Sequence, residues 1–495
     1  MASFAENYED QEYCLVHRPN HHQSPANHSA LFERKHDEPR FEKLRNELPT
    51  ISSNDEYGSL KEVMIGRGEH SYFPAIPIAA AANIVPRYHL HQFRPYNPIP
   101  ADIVQKASWE LDNFAHAMEK LGIRVHRPEK VDWGNVKIDE SKEGPEGQGS
   151  GYTSSMMRDG LMVVGETVIE SAFSWDCRRH EVELLHGEWL HALAHDDDEK
   201  VEIVRAPKTR KVAEDRIFDV KQGARWAINN SRVAFDAADF TKLEKGIVVT
   251  HKSNTTNQKG IEWVRSHLPH GWRLIVIEPK KGNTSEMHID ATLTPLFPGT
   301  ALYNPELVDL KELRRHKPLD TWRLLPAPIN QSWAEYPPSF MCHNEHLAMN
   351  VLVLDHKTVV TEEQDTEMHK LFERLGMKCI KLPFKHVGCL GGSFHCATVD
   401  LRREHGASSE GMVAGRLSEP TFAYSPPAEA SESLREDPAF VQHRRKMMLD
   451  RFHRLQSEGA ELQSHSQPQQ YPFARRVHSQ YPYQHQHPSD CSYID

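Results

Sequence analysis

The residues that most clearly suggest chemistry lie near the end of the patterned part of the chain, in LGGSFHCATVDLRR (390–403). Cys396 follows Gly391 and Gly392 by a few residues and directly precedes a run that is typical of a β-strand. Glycines let the backbone approach a ligand closely. A thiol that is exposed at the boundary of an element is a suitable nucleophile, although a buried free cysteine is equally ordinary in a core. The segment therefore indicates a candidate nucleophile.

The segment MHIDAT (287–292) offers an imidazole and a carboxylate two residues apart. In a β-strand, His288 and Asp290 would point to the same face because side chains alternate from side to side. A general base and an anionic group would then face one space. The alternative is a histidine and an aspartate on a solvated face, so this pattern gains meaning only together with others.

Two further segments place carboxylates where they could face a cleft. FDAADF contains Asp236 and Asp239, which would share a face if the segment were a helical turn; the alternative is a helix-capping aspartate. GYTSSMMRD ends with Arg158 and Asp159 directly before the apolar run LMVV. A loop at the edge of a strand could direct such a carboxylate into a cleft, whereas the alternative is an ordinary turn.

Metal and phosphate sites are not predicted. The segment CHNEH (342–346) has two histidines three residues apart, but no C-x₂-C or H-E-x-x-H spacing is present in it or around Cys396. No G-x-x-x-x-G-K-[ST] phosphate loop occurs, and GCLGGSF lacks the lysine. We therefore expect no metal and no cofactor.

The elements that must position these residues show a partial internal repeat. Three segments combine an amphipathic helix, a break containing glycine and a short β-rich run: 109–128, 261–277 and 366–383. Two others resemble a pair of apolar strands folded over a tight turn: LMVVGETVIES (161–171) and VLVLDHKTVVTEE (351–363). Together they predict an α/β domain built from repeated modules.

Composition divides the 495 residues into a polar arm (1–50), a patterned domain (51–405) and a polar extension (406–495). The extension favours one helix at 437–462, followed by a disordered tail rich in Gln, His and Pro. A net charge of −11 gives no basic footprint for nucleic acid, and no apolar run is long enough to span a membrane.

The cysteines and the first residues bear on the compartment. Seven scattered cysteines indicate a reducing environment rather than a disulfide framework. The N-terminal residues read neither as a secretory signal nor as a transit peptide. We therefore expect a cytoplasmic protein.

Considered together, these segments resemble the amidinotransferase family, which includes glycine amidinotransferase and inosamine-phosphate amidinotransferase. The resemblance spans roughly residues 54–403. It implies a single catalytic domain with the α/β fold of the guanidino-group-modifying enzymes, a five-module, pseudo-fivefold propeller around a central active site. The matching segments, in family order, are LKEVMIGR (60–67), GYTSSMMRD (151–159), VIESAFSW (168–175), FDAADF (235–240), GIEW (260–263), MHIDAT (287–292), AMNVLVLD (348–355) and LGGSFHC (390–396).

The resemblance assigns roles residue by residue. It implies that Cys396 is the nucleophile, that His288 is the general acid and base, and that Asp236 is the carboxylate paired with this imidazole. The other implied positions bind substrate. They comprise two carboxylates that grip a guanidinium and three further side chains: Asp159 and Asp290, then Arg158, Met287 and Asn344.

The implied reaction moves an amidino group from L-arginine to an amine acceptor through a covalent amidino-cysteine, with ping-pong kinetics and without a metal or cofactor. A hydrolase of the arginine deiminase kind, in which water replaces the acceptor, and a catalytically silent binding protein are the alternatives. Relatives are often dimeric, so the resemblance is also compatible with a homodimer.

The sequence departs from the family at two places. A basic residue that relatives carry shortly after an Asn-Pro step is associated with the donor carboxylate, but here Glu306 and Leu307 follow Asn304-Pro305. Another group must then hold this carboxylate, with Arg314 and Arg315 as candidates, or the donor is not arginine. The serine-rich stretch of relatives is replaced by CHNE (342–345), which argues against glycine as the acceptor.

Overall fold

The computed structural model describes residues 48–76, 81, 85–86, 89–136, 151–195, 201–207, 226–280, 288–329 and 340–404. The chain divides into two units, residues 1–412 and 413–495, and every described residue belongs to the first. The expected polar arm up to residue 47, the extension 406–495 with its helix at 437–462, and Met287 lie outside the described residues.

Five small sheets of three strands each form the framework of the described region. Within each sheet, the middle strand pairs antiparallel with one neighbour and parallel with the other. The sheets consist of β1 (Ser59–Ile65), β2 (Arg124–His126) and β15 (Thr398–Glu404); β3 (Leu161–Val164), β4 (Thr167–Glu170) and β5 (Glu202–Val204); β6 (Phe240–Glu244), β7 (Ile247–His251) and β8 (Arg273–Ile277); β9 (Leu293–Phe297), β10 (Thr300–Tyr303) and β11 (Arg323–Pro326); and β12 (Leu352–Asp355), β13 (Thr358–Glu362) and β14 (Lys378–Leu382).

Seven α-helices lie in the described region, and none of them is long and apolar enough to cross a membrane. The three predicted helix-then-strand units are confirmed, since the helices Ala101–Lys120, Gln258–His267 and Thr366–Arg374 precede β2, β8 and β14, and both predicted strand pairs are confirmed as β3–β4 and β12–β13. The helices are α1 (Ala101–Lys120), α2 (Met157–Gly160), α3 (Glu181–Ala194), α4 (Gln258–His267), α5 (Leu310–Leu313), α6 (Thr366–Arg374) and α7 (Lys385–Gly388).

Helix α6 shows why these units can be recognised in the sequence. The side chain of Asp365 accepts a hydrogen bond from the backbone N–H of Met368 at 3.3 Å and so caps the first turn. After the last turn, Gly376 has a φ of 75°, a left-handed conformation that glycine adopts without steric cost. Local residue preferences therefore determine both ends of this helix.

A short helical turn leads into the first strand of four of the five sheets. These turns are α2 before β3, then the 3₁₀ helices Ala237–Asp239 before β6, Ile289–Ala291 before β9 and Glu345–Met349 before β12. The expectation that His288 and Asp290 lie on one strand is therefore wrong, because the chain turns there before β9 begins. A segment of six residues is too short for its periodicity to distinguish a strand from such a turn.

Aromatic packing supports the loop that precedes β15. Phe114 of α1 contacts Phe384 and Phe394 edge to face, with ring centroids 5.4 and 5.2 Å apart, and Phe384 stacks on Phe394 at 4.0 Å. Helix α1 also accepts hydrogen bonds from the first backbone N–H groups of α7 through Glu110. The long amphipathic helix thereby fixes the backbone two residues before Cys396.

We expect Gly260→Ala to lower the free energy of unfolding by about 1–3 kcal/mol because the added methyl overpacks a filled site. An ideal Cβ at Gly260 would lie 2.2 Å from the carbonyl oxygen of Ala234, which precedes Asp236 by two residues. Urea unfolding measures the effect. The control is Glu262→Ala on the exposed face of α4, which should change the stability by less than about 0.5 kcal/mol. Equal stability of the two variants would contradict this packing.

Candidate active site

A single cavity of about 100 Å³ gathers most of the residues that sequence analysis selected. It is lined by five of them, which come from four different modules: Asp159, His288, Asp290, Asn344 and Cys396. Asp236 lies behind His288, to which it is hydrogen-bonded. The turns that lead into the sheets thus bring together side chains that are far apart in the sequence.

The Cys396 thiol is held in place from two sides. Asn350 accepts hydrogen bonds from the backbone N–H groups of Ser393 and Cys396, both at 3.0 Å, and donates one from Nδ2 to Sγ at 3.0 Å. The thiol itself donates to Oδ2 of Asp290 at 3.2 Å. An ideal Cβ at Gly392 would lie 2.4 Å from the Cβ of Cys396, so this turn requires glycine. The loop therefore fixes the position of the sulfur.

The protein groups around the thiol keep it neutral near neutral pH. Burial raises the pKa of Cys396 to about 12, and the negative charge of Asp290 acts in the same direction. A hydrogen bond with His288 opposes both effects but does not offset them. Some additional positive charge must enter the cavity before this thiol ionises near neutral pH.

His288 is a proton donor held between two carboxylates. Its Nε2 donates to Oδ2 of Asp236 at 3.1 Å, and its Nδ1 lies 3.6 Å from Oδ1 of Asp159. Burial alone would lower the pKa of His288, but the charge of Asp159 and the hydrogen bond to Asp236 outweigh it and raise the pKa well above its usual value. Burial raises the pKa of Asp236 to about 6, so this carboxylate is ionised at neutral pH.

Asp159 is oriented by Arg178, a residue that sequence analysis did not select. Arg178 donates two hydrogen bonds to Glu181, at 2.8 and 2.6 Å, and a third to Oδ2 of Asp159 at 2.8 Å. Its guanidinium also lies 4.4 Å from the ring centroid of Phe173. The other carboxylate oxygen of Asp159 is buried and has no hydrogen-bond partner among the described residues. It can accept a hydrogen bond from a ligand in the cavity.

Asp290 is tied to a group of buried charges behind the cavity. His395 donates from Nδ1 to Oδ2 of Asp290 at 2.9 Å, while its Nε2 lies 3.3 Å from Glu56. Burial acts to raise the pKa of Asp290, but the hydrogen bond and charge of His395 outweigh it and lower the pKa to about 2. Asp290 is therefore a permanent anion at the cavity wall.

Arg158 is placed differently from the expected substrate contact. Its guanidinium donates to Asp400 at 2.7 Å and to the backbone oxygen of His395 at 2.9 Å, and it lies 3.5 Å from Glu56. These buried partners satisfy its charge behind the cavity, and the side chain is not among the described residues that line it. Arg158 therefore supports the loop that carries Cys396.

Asp239 contacts different side chains from Asp236. The carboxylate of Asp239 accepts hydrogen bonds from Ser253 at 2.7 Å and Thr255 at 2.9 Å, and it lies 3.2 Å from Nε2 of His251. The 3₁₀ turn between the two aspartates directs them to different partners. Asp239 consequently stabilises the loop after β7, whereas Asp236 contacts His288.

Neither Arg314 nor Arg315 reaches the cavity, so the expectation that one of them holds a substrate carboxylate is wrong. Arg314 donates to three backbone carbonyl groups, at distances of 2.9, 2.9 and 2.7 Å. The side chain of Arg315 is 73% exposed and pairs with Glu312. Leu307, in contrast, does line the cavity and offers no charge there.

Three potential metal ligands also meet in this cavity. One ligand atom each from Asp159, His288 and Cys396 lies within 4.8 Å of the others. The imidazole already donates to Asp236, and the thiol donates to Asp290. A planar cation that itself donates hydrogen bonds would match the carboxylate oxygens of Asp159 and Asp290 without displacing either of these two contacts.

Four residues of this site were missed in the sequence: Glu56, Arg178, Asn350 and His395. Three of them had a signal, since Asn350 and His395 lie inside the matching segments AMNVLVLD and LGGSFHC, and Arg178 follows VIESAFSW closely. Their roles depend on contacts with residues of other modules, which no local pattern expresses.

No family model matches the chain. Among curated proteins, the chain is 32% identical over 371 residues to the mitochondrial glycine amidinotransferase of Gallus gallus, a match that covers 72% of this chain and 83% of that protein. It is 34% identical over 361 residues to the L-arginine:L-lysine amidinotransferase of Pseudomonas savastanoi pv. phaseolicola, covering 71% of this chain and 94% of that protein.

Solved structures agree. The amidinotransferase SxtG from Microseira wollei, of the saxitoxin biosynthetic pathway, superposes with a TM-score of 0.61 at 30% identity and covers 72% of this chain and 98% of its own. The inosamine-phosphate amidinotransferase of Streptomyces griseus gives a TM-score of 0.62 at 24% identity, with the same coverage of both chains. These similarities confirm the expected propeller fold. Because identity above 30% extends over most of this chain and of its relatives, the chain belongs to the amidinotransferase family of transferases.

Proposed function

We propose that this protein transfers the amidino group of L-arginine to an amine acceptor through a covalent intermediate on Cys396. The observation that carries the proposal is the convergence of one ligand atom each from Asp159, His288 and Cys396 within 4.8 Å, at a cavity that Asp290 also lines. A guanidinium placed there would meet two carboxylates, a nucleophile and an acid.

Binding of the donor completes the charge balance of the cavity. The N–H groups of a guanidinium can donate to Asp290 and to Oδ1 of Asp159, which accepts no hydrogen bond from the described residues. The cation also brings positive charge beside the Cys396 sulfur, which offsets the effect of Asp290 and lowers the pKa of the thiol. The thiol proton then leaves to solvent because His288 already carries its own.

The first half-reaction forms one bond and breaks another. The Cys396 thiolate attacks the central carbon of the guanidinium, and the C–N bond to the ornithine part breaks. His288 donates its proton to the departing nitrogen, so ornithine leaves as a neutral amine. The amidino group remains on sulfur as a cationic thioether between Asp159 and Asp290.

The second half-reaction reverses these roles. A neutral acceptor amine attacks the amidino carbon, and His288, now unprotonated, removes the proton from the attacking nitrogen. The C–S bond breaks, and the thiolate and the new guanidinium product are released. Asp236 accepts a hydrogen bond from His288 throughout both half-reactions and keeps the imidazole oriented towards the departing and then the attacking nitrogen.

Apolar side chains favour transfer over hydrolysis. The cavity wall includes Met156, Trp175, Leu307 and Leu347, which limit the water available to a thioether intermediate. An amine that fills this space therefore has an advantage over water as the second nucleophile. Ornithine as the product of the donor indicates transfer, whereas citrulline would indicate hydrolysis.

Pairing of the first and last strands supports residues 51–405 as the catalytic domain. Strand β1 (Ser59–Ile65) pairs antiparallel with β15 (Thr398–Glu404), so the two ends of the described region complete one sheet. We also propose that the protein acts in the reducing cytoplasm, which is consistent with five free cysteines in the described part of the chain.

We expect Cys396→Ala to abolish ornithine release from L-arginine, with a loss of about a thousandfold or more in kcat, because no covalent intermediate can form. Chromatography of products with labelled arginine measures this. In the unaltered protein, mass spectrometry before addition of an amine should show one extra amidino group on the peptide that contains Cys396.

The matched control is Cys379→Ser, which alters a half-buried thiol on β14 outside the cavity and should retain turnover. Unchanged ornithine release by Cys396→Ala, or an amidino group found on another residue, would refute the covalent mechanism.

We expect the Cys396 thiol to remain largely protonated up to about pH 10 without substrate, and Asp290→Asn to shift its ionisation to lower pH. Removing the negative charge hydrogen-bonded to sulfur favours the thiolate. Thiolate absorbance in the ultraviolet, taken as the difference from the matching Cys396→Ser protein, reports this group alone. Ionisation that is complete below pH 8, or that is unaffected by Asp290→Asn, would contradict the proposed electrostatics.

A further inference from the structure

We infer that His346, assisted by Asn344, forms an uncharged clamp that holds the carboxylate of an amino-acid substrate in this cavity. The inference rests on the proposed function and deepens it. It assigns a specificity-determining role to His346, a residue that lies outside the matching family segments and that the proposed chemistry does not use. Both residues line the same cavity as Cys396.

The described cavity wall offers no free cation for a carboxylate. Its two cationic side chains are Arg178 and His288. Arg178 already donates to Glu181 and Asp159, and His288 already donates to Asp236. A substrate carboxylate would have to bind to neutral N–H donors instead, since Asp159 and Asp290 repel it.

The tautomer of His346 follows from the contacts of Asn304, which is fully buried. The Oδ1 of Asn304 accepts a hydrogen bond from the backbone N–H of Glu306 at 2.9 Å, which fixes the orientation of the amide. Its Nδ2 then donates one hydrogen to the backbone oxygen of Ala291 and the other to Nδ1 of His346, both at 3.1 Å. Since Nδ1 accepts, the ring proton of neutral His346 is on Nε2.

His346 therefore presents a donor that no described residue uses. Its Nδ1 faces Asn304, and Nε2–H lies on the other edge of a half-buried ring at the cavity wall. Burial lowers the pKa of His346, which keeps the imidazole neutral at physiological pH. A second proton on Nδ1 would also oppose the N–H of Asn304.

Asn344 adds a second donor with a fixed orientation. Its Oδ1 accepts from the backbone N–H of His346 at 2.9 Å, and its Nδ2 donates to the backbone oxygen of Cys342 at 2.7 Å. One hydrogen of this amide remains available at the cavity wall. Two neutral donors on one 3₁₀ turn can bind the two oxygens of a carboxylate, beside the uncharged Leu307.

The test compares the binding of L-arginine and agmatine, which is arginine without its carboxylate. Calorimetry in the full-length Cys396→Ala protein measures both dissociation constants without turnover. His346→Asn keeps an oxygen acceptor for Asn304 but cannot reach as far as Nε2, whereas His346→Gln keeps a donor near the position of Nε2. His270→Asn, at an exposed position outside the cavity, is the matched control.

We expect His346→Asn to weaken arginine binding about tenfold or more relative to agmatine, since a hydrogen bond to a charged group is lost. His346→Gln and His270→Asn should keep the preference within about threefold. The inference is overturned if His346→Asn retains the preference, if His346→Gln loses it equally, or if neither ligand binds. If arginine binds through His346 but the unaltered protein never releases ornithine, the inference stands and the proposed function fails.

Discussion

Buried negative charge is the constraint on which this structure depends. Asp159, Asp236 and Asp290 are each less than 5% exposed. Taking a carboxylate out of water costs several kcal/mol unless a cation or several donors meet it. Each of the three is met by a cationic or imidazole side chain: Arg178, His288 and His395, respectively. The cavity can exist only because these partners arrive from other parts of the chain.

The repeated module explains how they arrive. In each of five sheets the middle strand is shared by an antiparallel and a parallel pair, and in four of them the chain segment before the antiparallel pair lines the cavity. Asp159 lies before β3 and Asp236 before β6. In the same way, His288 lies before β9, Asn350 before β12 and Cys396 before β15. Corresponding segments of one repeated unit thus supply chemically different groups.

Local patterns in the sequence predicted what is local in the structure. The units α1–β2, α4–β8 and α6–β14 follow from helical periodicity and glycine breaks, which act within a few residues. Periodicity failed at MHIDAT, where a turn too short to show a period replaces the expected strand. The resemblance implied a substrate contact for Arg158, but its charge is satisfied by Asp400 and Glu56, far away in the sequence. Such networks between modules depend on three-dimensional packing. The sequence around an arginine next to a site residue therefore does not indicate where its side chain points.

The same excess of negative charge links recognition to activation. Burial and the negative charge of Asp290 together keep the thiol of Cys396 protonated, so stray electrophiles meet a neutral sulfur. A substrate that fails to bring positive charge leaves the thiol in this state, however well its shape fits. In the proposed mechanism, a guanidinium both pairs with the carboxylates and lowers the pKa of the thiol that attacks it. Selection for a cation therefore takes place in the reactive step as well as in binding. This is how a site with an uncharged clamp for the remote carboxylate can still be specific for guanidino compounds.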